Sequence, residues 1–182
     1  MLEDKFKPYL SHPTFVEILD LVKENSSGKI WIMGGFLYKN LARELYGGDI
    51  YVEDIDFVVE QREEKVKEKL GWNIYTNHYG VDNYSRGDTK MSFTDIRKAI
   101  RVSGMENPTI EEFISGTPLN IQSIVYDLEK GVIIGEKGIS ALKSKIIAIN
   151  DKEQMEFYAQ KKGKKIEDIL LEKAGELGFS VV

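Results

Sequence analysis

Residues 54 to 60 read Asp-Ile-Asp-Phe-Val-Val-Glu, a run in which carboxylates alternate with apolar side chains. In an extended strand successive side chains point to opposite faces, so Asp54 and Asp56 project from one side and Ile55, Phe57 and Val59 from the other. Two like charges on one side of an otherwise apolar strand repel, and a divalent cation relieves both the repulsion and the cost of desolvation. Oxygen-only ligands suit Mg2+ or Mn2+. A solvated strand end accommodates the same two residues, and Asp-x-Asp alone does not choose between these readings.

The residues upstream sharpen the choice. Lys29-Ile30-Trp31-Ile32-Met33 is a short apolar run rich in strand formers, which predicts a buried strand stopped by Gly34-Gly35. A helix follows, with Leu37, Leu41 and Leu45 on its apolar face and Gly47-Gly48 at its end. Glycines where a strand turns into a helix let backbone N–H groups approach a phosphate chain that the helix N-terminus also attracts. The competing reading is a tight turn that needs glycine for steric reasons alone. Because the glycines and the aspartates come from consecutive strands of one strand-helix-strand unit, a triphosphate cradle at Gly34 and Gly35 is expected beside the carboxylates. Further upstream, Phe15, Ile18, Leu19 and Val22 form a helical stripe over 14–24, with Thr14 and Glu17 at capping-box spacing.

Downstream, the charged segment 61–70 reads as a second helix and 72–79 and 90–96 as strands. The polar stretch between those strands, with Asn83, Ser85 and Arg86-Gly87-Asp88, reads as a mobile loop. Met91, Phe93 and Asp95 share one strand face, which makes Asp95 the candidate third carboxylate; Asp88 is second, and Asp49 and Asp82 read as loop residues. Thr109 and Glu112 have capping-box spacing ahead of a short helix. Segments 119–127 and 132–134 are strand-like, with a hairpin signal at Glu129-Lys130-Gly131. Asn120 and Gln122 alternate onto one face there, suited to contact a base or ribose or to serve a structural hydrogen-bonding role. Segments 139–148 and 152–177 read as helices. Arg97, Lys98 and Arg101, and the cluster Lys161, Lys162, Lys164 and Lys165, read as solvated faces that offer phosphate contacts as the alternative.

With 182 residues, 42% hydrophobic and 30% charged, the chain has enough apolar material for one ordinary core, and a single domain over 1–182 is expected, its core at 29–149. No repeat or linker interrupts it. The absence of cysteine removes disulfides and thiolate chemistry, and two histidines make a zinc site improbable. The net charge of −5 argues against a protein that coats nucleic acid through its overall field. No apolar run is long enough to span a bilayer, and the start MLEDKFKPYL lacks the order of a secretory signal; a cytoplasmic protein is expected.

Ile-Trp-Ile-Met-Gly-Gly at 30–35, followed by Glu-Asp-Ile-Asp-Phe-Val-Val at 53–59, resembles the head domain of class II tRNA nucleotidyltransferases and bacterial poly(A) polymerases. Ser92-Phe93-Thr94-Asp95-Ile96, Ile121 to Asp127 and the glycine-led run Gly138 to Ile147 resemble later segments of that family in order, so the likeness runs from about residue 29 to 149. It implies an α/β (α+β) polymerase-β-like fold, a mixed central sheet flanked by helices. It further implies two magnesium ions bound by Asp54 and Asp56, with Asp95 where that family places its third carboxylate. The expected reaction, with Asp95 binding the second metal, is transfer of a nucleoside monophosphate from a nucleoside triphosphate to an acceptor hydroxyl in RNA, a protein or a small molecule.

Two departures bear on activity. The family pattern Gly-Gly-x-Val-Arg-Asp is here Gly34-Gly35-Phe36-Leu37-Tyr38-Lys39, and Gly116-Thr117-Pro118 stands where the family has Arg-Arg-Asp. Segments resembling the family's tRNA-reading neck, body and tail are not in the sequence, so CCA addition by this chain alone is not expected. The rival expectation is a nucleotide-binding regulatory module, catalytically inactive, or a subunit completed by a partner chain.

Overall fold

The computed structural model describes residues 1–50, 54–77 and 80–182; Glu53 of the motif and the end of the expected strand 72–79 lie outside them. Two helices, α1 (Leu2–Leu10) and α2 (Pro13–Glu24), precede strand β1 (Ser26–Met33), helix α3 (Gly34–Tyr46) and strand β2 (Asp54–Arg62). Strands β3 (Asn73–Thr76), β4 (Asp82–Arg86) and β5 (Thr89–Asp95) follow, then helix α4 (Ile110–Ser115), strands β6 (Val125–Asp127) and β7 (Val132–Ile134), and helix α5 (Glu136–Ser144). Short strand β8 (Ile146–Ile147), helices α6 (Lys152–Lys162) and α7 (Ile166–Leu177) and strand β9 (Ser180–Val181) complete the described chain.

The main sheet runs β3-β4-β5-β2-β1-β6-β7. It is mixed: β2 and β5 are parallel, while β1 is antiparallel to both β2 and β6. The alternation along β2 sets the layers. Ile55, Phe57 and Val59 join the larger core with α1, α2 and α3, whereas Val58 joins Trp31, Val125 and residues of α4 in a smaller cluster on the opposite face. Asp54 and Asp56 have the parity of Val58 and lie beyond that cluster. Among the described residues no helix is long and apolar enough to cross a membrane.

Several expectations need correction. Helix α2 is capped by the His12 side chain, which accepts from the Thr14 N–H, with Pro13 at its first position; Glu17 is drawn away to bond Arg86 and Trp72. The expected helix at 61–70 does not form. Strand β2 continues through Arg62, and buried Asn25 claims the backbone beyond it, its carbonyl accepting from Glu63 N–H and its Oδ1 from Lys67 N–H at 2.7 Å. The expected loop with Asn83 and Ser85 is strand β4, paired to β3 on one side and, through a tight turn at Gly87-Asp88, to β5 on the other. The expected helix 152–177 is two helices broken at Gly163, whose φ is 63°.

Asn25 also donates to Leu21 O and Tyr84 Oη. Asn25→Ala strips the partner from Lys67 N–H and the donor from Tyr84 Oη, which keeps only its own bond to Lys67 O, and each unsatisfied buried group costs about 1–3 kcal/mol. The variant is expected to unfold about 2–4 kcal/mol more easily in a urea titration; an unchanged midpoint would show that this segment does not depend on Asn25.

Candidate active site

The strand-to-helix turn brings the two sequence features together. Gly34 has φ 71°, the left-handed region, and a Cβ built on it would overlap Asp56 Oδ2 and lie 3.2 Å from Asp56 Cβ and Cγ. The turn therefore passes directly over the Asp56 carboxylate. Met33 pairs with Asp56 across β1 and β2, which fixes the start of α3 at this point of the sheet. Ser92, the partner of Asp56 on β5, donates from Oγ to Asp56 Oδ1 at 2.5 Å.

Burial pushes the Asp56 carboxyl above its ordinary value; the Ser92 hydrogen bond opposes this and the Asp54 charge adds to it. A half-buried carboxylate with a like charge beside it and a hydroxyl on one oxygen is an all-oxygen donor set, which fits a hard divalent cation completed by phosphate oxygens and water. Both aspartates open into a cavity of about 310 Å3 with Gly34, Gly35, Tyr38 and Lys39 at its α3 side.

Asp95 does not join them. Asp56 pairs with Ser92 and Val59 with Asp95, so Asp95 has the opposite parity and lies three residues further along β5, about 10 Å at the rise of a strand. Its carboxylate is committed elsewhere, accepting from Arg62 N–H, Arg97 N–H and the Arg97 guanidinium. Burial works against ionisation of Asp95, but the Arg97 hydrogen bonds and the two backbone N–H groups outweigh it and hold the carboxyl below 3.8. Among the described residues there is no group of three or more His, Cys, Asp or Glu side chains placed to hold a metal. The runner-up Asp88 sits exposed in the β4–β5 turn, and Asp82 accepts from the Thr76 hydroxyl.

The lowered pKa of Asp95 gives a test of this assignment. A carboxyl held below its unfolded value stabilises the fold above that value, and the contribution disappears as pH falls through the folded one. Asp95→Asn should therefore cost about 1–3 kcal/mol at neutral pH, a deficit that shrinks as the pH is taken below 3.8, while activity at the cavity stays within a few-fold. Denaturant midpoints at pH 7 and pH 3 together with a transfer assay check it, and an activity loss exceeding the stability loss would return Asp95 to the site.

Residues 119–124 are not a strand. Asn120–Gln122 form a 3-10 turn before β6. Asn120 ties that turn to the chain after α5, donating to Ile146 O and accepting from Ala148 N–H, both at 3.0 Å; this is the structural role. Gln122 accepts from Leu119 N–H and also lines the cavity. Arg97 belongs to Asp95, and Arg101 lies over the Phe113 ring.

The sequence reading missed one wall of the cavity. Tyr158, Lys162, Lys164 and Lys173 line it from α6, α7 and the turn between them. Lys162 and Lys164, expected on a solvated face, thus border the site, because Gly163 folds α7 back across α6. A glycine directly after lysines in a helical run was the available signal.

No protein-family model matches the sequence, and no curated protein matches it. Solved structures do. A CCA-adding enzyme in complex with ATP superposes with a TM-score of 0.59 at 17% identity, covering 98% of this chain and 41% of that one. A tRNA-processing enzyme in an apo form gives 0.57 at 23% identity over 85% of this chain and 39% of that one. A tRNA nucleotidyltransferase complexed with a primer tRNA and an incoming ATP analog gives 0.51 at 22% identity over 85% and 43%. The chain spans about two fifths of the length of these structures. The architecture is that of the polymerase-β-like nucleotidyltransferase fold, as found in the tRNA nucleotidyltransferases.

Proposed function

We propose that the protein is a divalent-metal-dependent nucleotidyltransferase that moves a nucleoside monophosphate from a nucleoside triphosphate to an acceptor hydroxyl and releases pyrophosphate. The observation that carries this reading is the placement of the Gly34 turn against Asp56, with both opening into one cavity. Asp54 and Asp56 would hold the metal, magnesium or manganese, which supplies charge neutralisation at the phosphates and lowers the pKa of a bound hydroxyl.

The chain's own groups account for the rest. Backbone N–H groups at the start of α3 are directed at the phosphate chain, helped by the positive end of the helix. Ser92 holds one Asp56 oxygen and so orients the carboxylate. The hydroxyl attacks the α-phosphorus, the bond to the bridging oxygen of pyrophosphate breaks, and the hydroxyl proton passes to exposed Asp54 or to water. Gln122, which lines the cavity, is proposed to contact the base or ribose. Acceptor classes are RNA, a protein side chain or a small molecule; RNA leads because one structure of this fold is complexed with a primer tRNA.

The absence, among the described residues, of a third carboxylate placed to hold a metal with Asp54 and Asp56 favours a second reading, a nucleotide-binding module without transferase activity. Incubation with each labelled triphosphate, magnesium and a panel of RNA, protein and small-molecule acceptors separates the two. Transfer that disappears in Asp56→Ala supports the enzyme, and triphosphate binding without transfer to any acceptor supports the module.

A further inference from the structure

Besides the two aspartates, the cavity is lined by Lys39, Lys162, Lys164 and Lys173 with Glu172 and Glu176. Lys39 from α3 and Lys173 from α7 converge on one carboxylate, with Glu176 Oε2 3.4 Å from Lys39 Nζ and 2.7 Å from Lys173 Nζ. Both lysine side chains are mostly buried, at 15% and 16% exposure. Four lysines against Glu172 and Glu176 make this part of the lining rich in positive charge, and each ammonium has three N–H donors to distribute.

The position of this pair matters. The Lys39 stem runs beside Gly35, where a Cβ would lie 3.6 Å from its Cδ and Cε, so the ammonium pair adjoins the helix N-terminus of α3. Lys173 also reaches Tyr38, its Nζ 5.8 Å from the ring centroid. Lys162 lies on the same wall at the end of α6. A cavity lined by two aspartates, the glycine turn at the start of α3 and these lysines suits a ligand whose anionic chain extends from a metal-held phosphate.

We propose that Lys39 and Lys173, assisted by Lys162, bind the terminal phosphates of the nucleotide and make the site selective for the number of phosphates. This rests on the nucleotide reading above. The bland competitor is a salt-bridge cluster that only fastens α7 to α3. A structural role of that kind lowers stability and weakens all ligands alike, whereas a phosphate-binding role weakens triphosphate selectively.

The experiment is calorimetric titration of the full chain with ATP, ADP, AMP and inorganic tripolyphosphate, with magnesium and again in EDTA. Wild-type protein is expected to bind ATP more tightly than AMP and to bind tripolyphosphate competitively with ATP. Lys173→Met is expected to weaken ATP and tripolyphosphate about tenfold, near 1.4 kcal/mol, with AMP within twofold and Lys173→Arg restoring the preference. Lys162→Met, an exposed change that spares the ion pairs, gives a smaller loss in the same direction and serves if Lys173→Met does not fold. Wild-type preference for ATP that persists in these variants overturns the proposal while leaving the nucleotide reading intact. No binding of any triphosphate by wild-type protein with magnesium overturns both.

Discussion

Asp56→Asn should remove nucleotidyl transfer by about a thousandfold or more while making the metal-free protein harder to unfold at neutral pH. The first effect follows from the several kcal/mol of charge stabilisation that a carboxylate-held cation contributes to phosphoryl chemistry, each 1.4 kcal/mol being about tenfold in rate. The second has the opposite sign because Asp56 is kept half-buried beside another carboxylate, an arrangement that disfavours its charge. The amide keeps the shape and a hydrogen-bonding partner for Ser92, and it removes the like-charge repulsion. In a domain of this size 1 kcal/mol moves Tm by about 2–4 °C, so thermal unfolding reads the gain directly. Magnesium should raise Tm in the wild-type protein and leave Asp56→Asn unmoved. A wild-type Tm indifferent to magnesium and manganese, at concentrations that saturate ordinary carboxylate sites, would remove the metal from the proposal.

The features that were legible in the sequence are those set by local periodicity. Alternation along 54–60 placed Asp54 and Asp56 on one face and Phe57 on the other, and that pattern survives in the two hydrophobic clusters of the structure. The break at Gly34-Gly35 marked the start of α3, and Thr109 with Glu112 forms the expected capping box. Misreadings arose where a distant residue decides the local conformation. Segment 61–70 is charged enough to read as an exposed helix, yet Asn25, far upstream, accepts from Glu63 and Lys67 N–H, and Tyr84 donates to Lys67 O, which holds the segment out of a helix. The polar composition of Asn83 and Ser85 hides a strand whose partners lie on both sides.

Asp95 shows the limit most clearly. Its parity within β5 was read correctly, since Met91, Phe93 and Asp95 do share a face, but the register that aligns β5 with β2 is not encoded in either strand by itself. Slipping a strand by one residue exchanges its faces. Here Asp56 meets Ser92, and the carboxylate that would complete a triad points instead into a network with Arg62 and Arg97. The lysines of α6 and α7 carry the complementary lesson. Their charge is visible in the sequence, but their approach to the aspartates depends on a chain reversal at Gly163 that brings the C-terminal helices over the start of α3.

The two glycines of the turn should part company on substitution, and the larger loss belongs to Gly34→Ala. An L-residue forced to the φ of 71° found at Gly34 carries roughly 1–2 kcal/mol of strain. The added methyl also overlaps Asp56 Oδ2 and stands 3.2 Å from the Asp56 Cβ and Cγ. Either the carboxylate swings away or the turn lifts off the strand, and both separate the proposed phosphate cradle from the acid proposed to hold the metal. A displacement of about 1 Å in a positioned reactant costs on the order of a hundredfold, so Gly34→Ala is expected to lose at least that much transfer along with stability. Gly35 has no such constraint: its φ is not in the left-handed region, and the nearest atoms to an added Cβ are the Lys39 stem at 3.6 Å and Tyr38 Oη at 4.0 Å. Inside a helix alanine is favoured over glycine by about 0.5–1 kcal/mol, so Gly35→Ala should unfold at a higher urea concentration than the wild-type protein while Gly34→Ala unfolds at a lower one. Equal midpoints for the two variants would mean that the turn does not press on Asp56, and the contact that unites cradle and carboxylate would have to be abandoned.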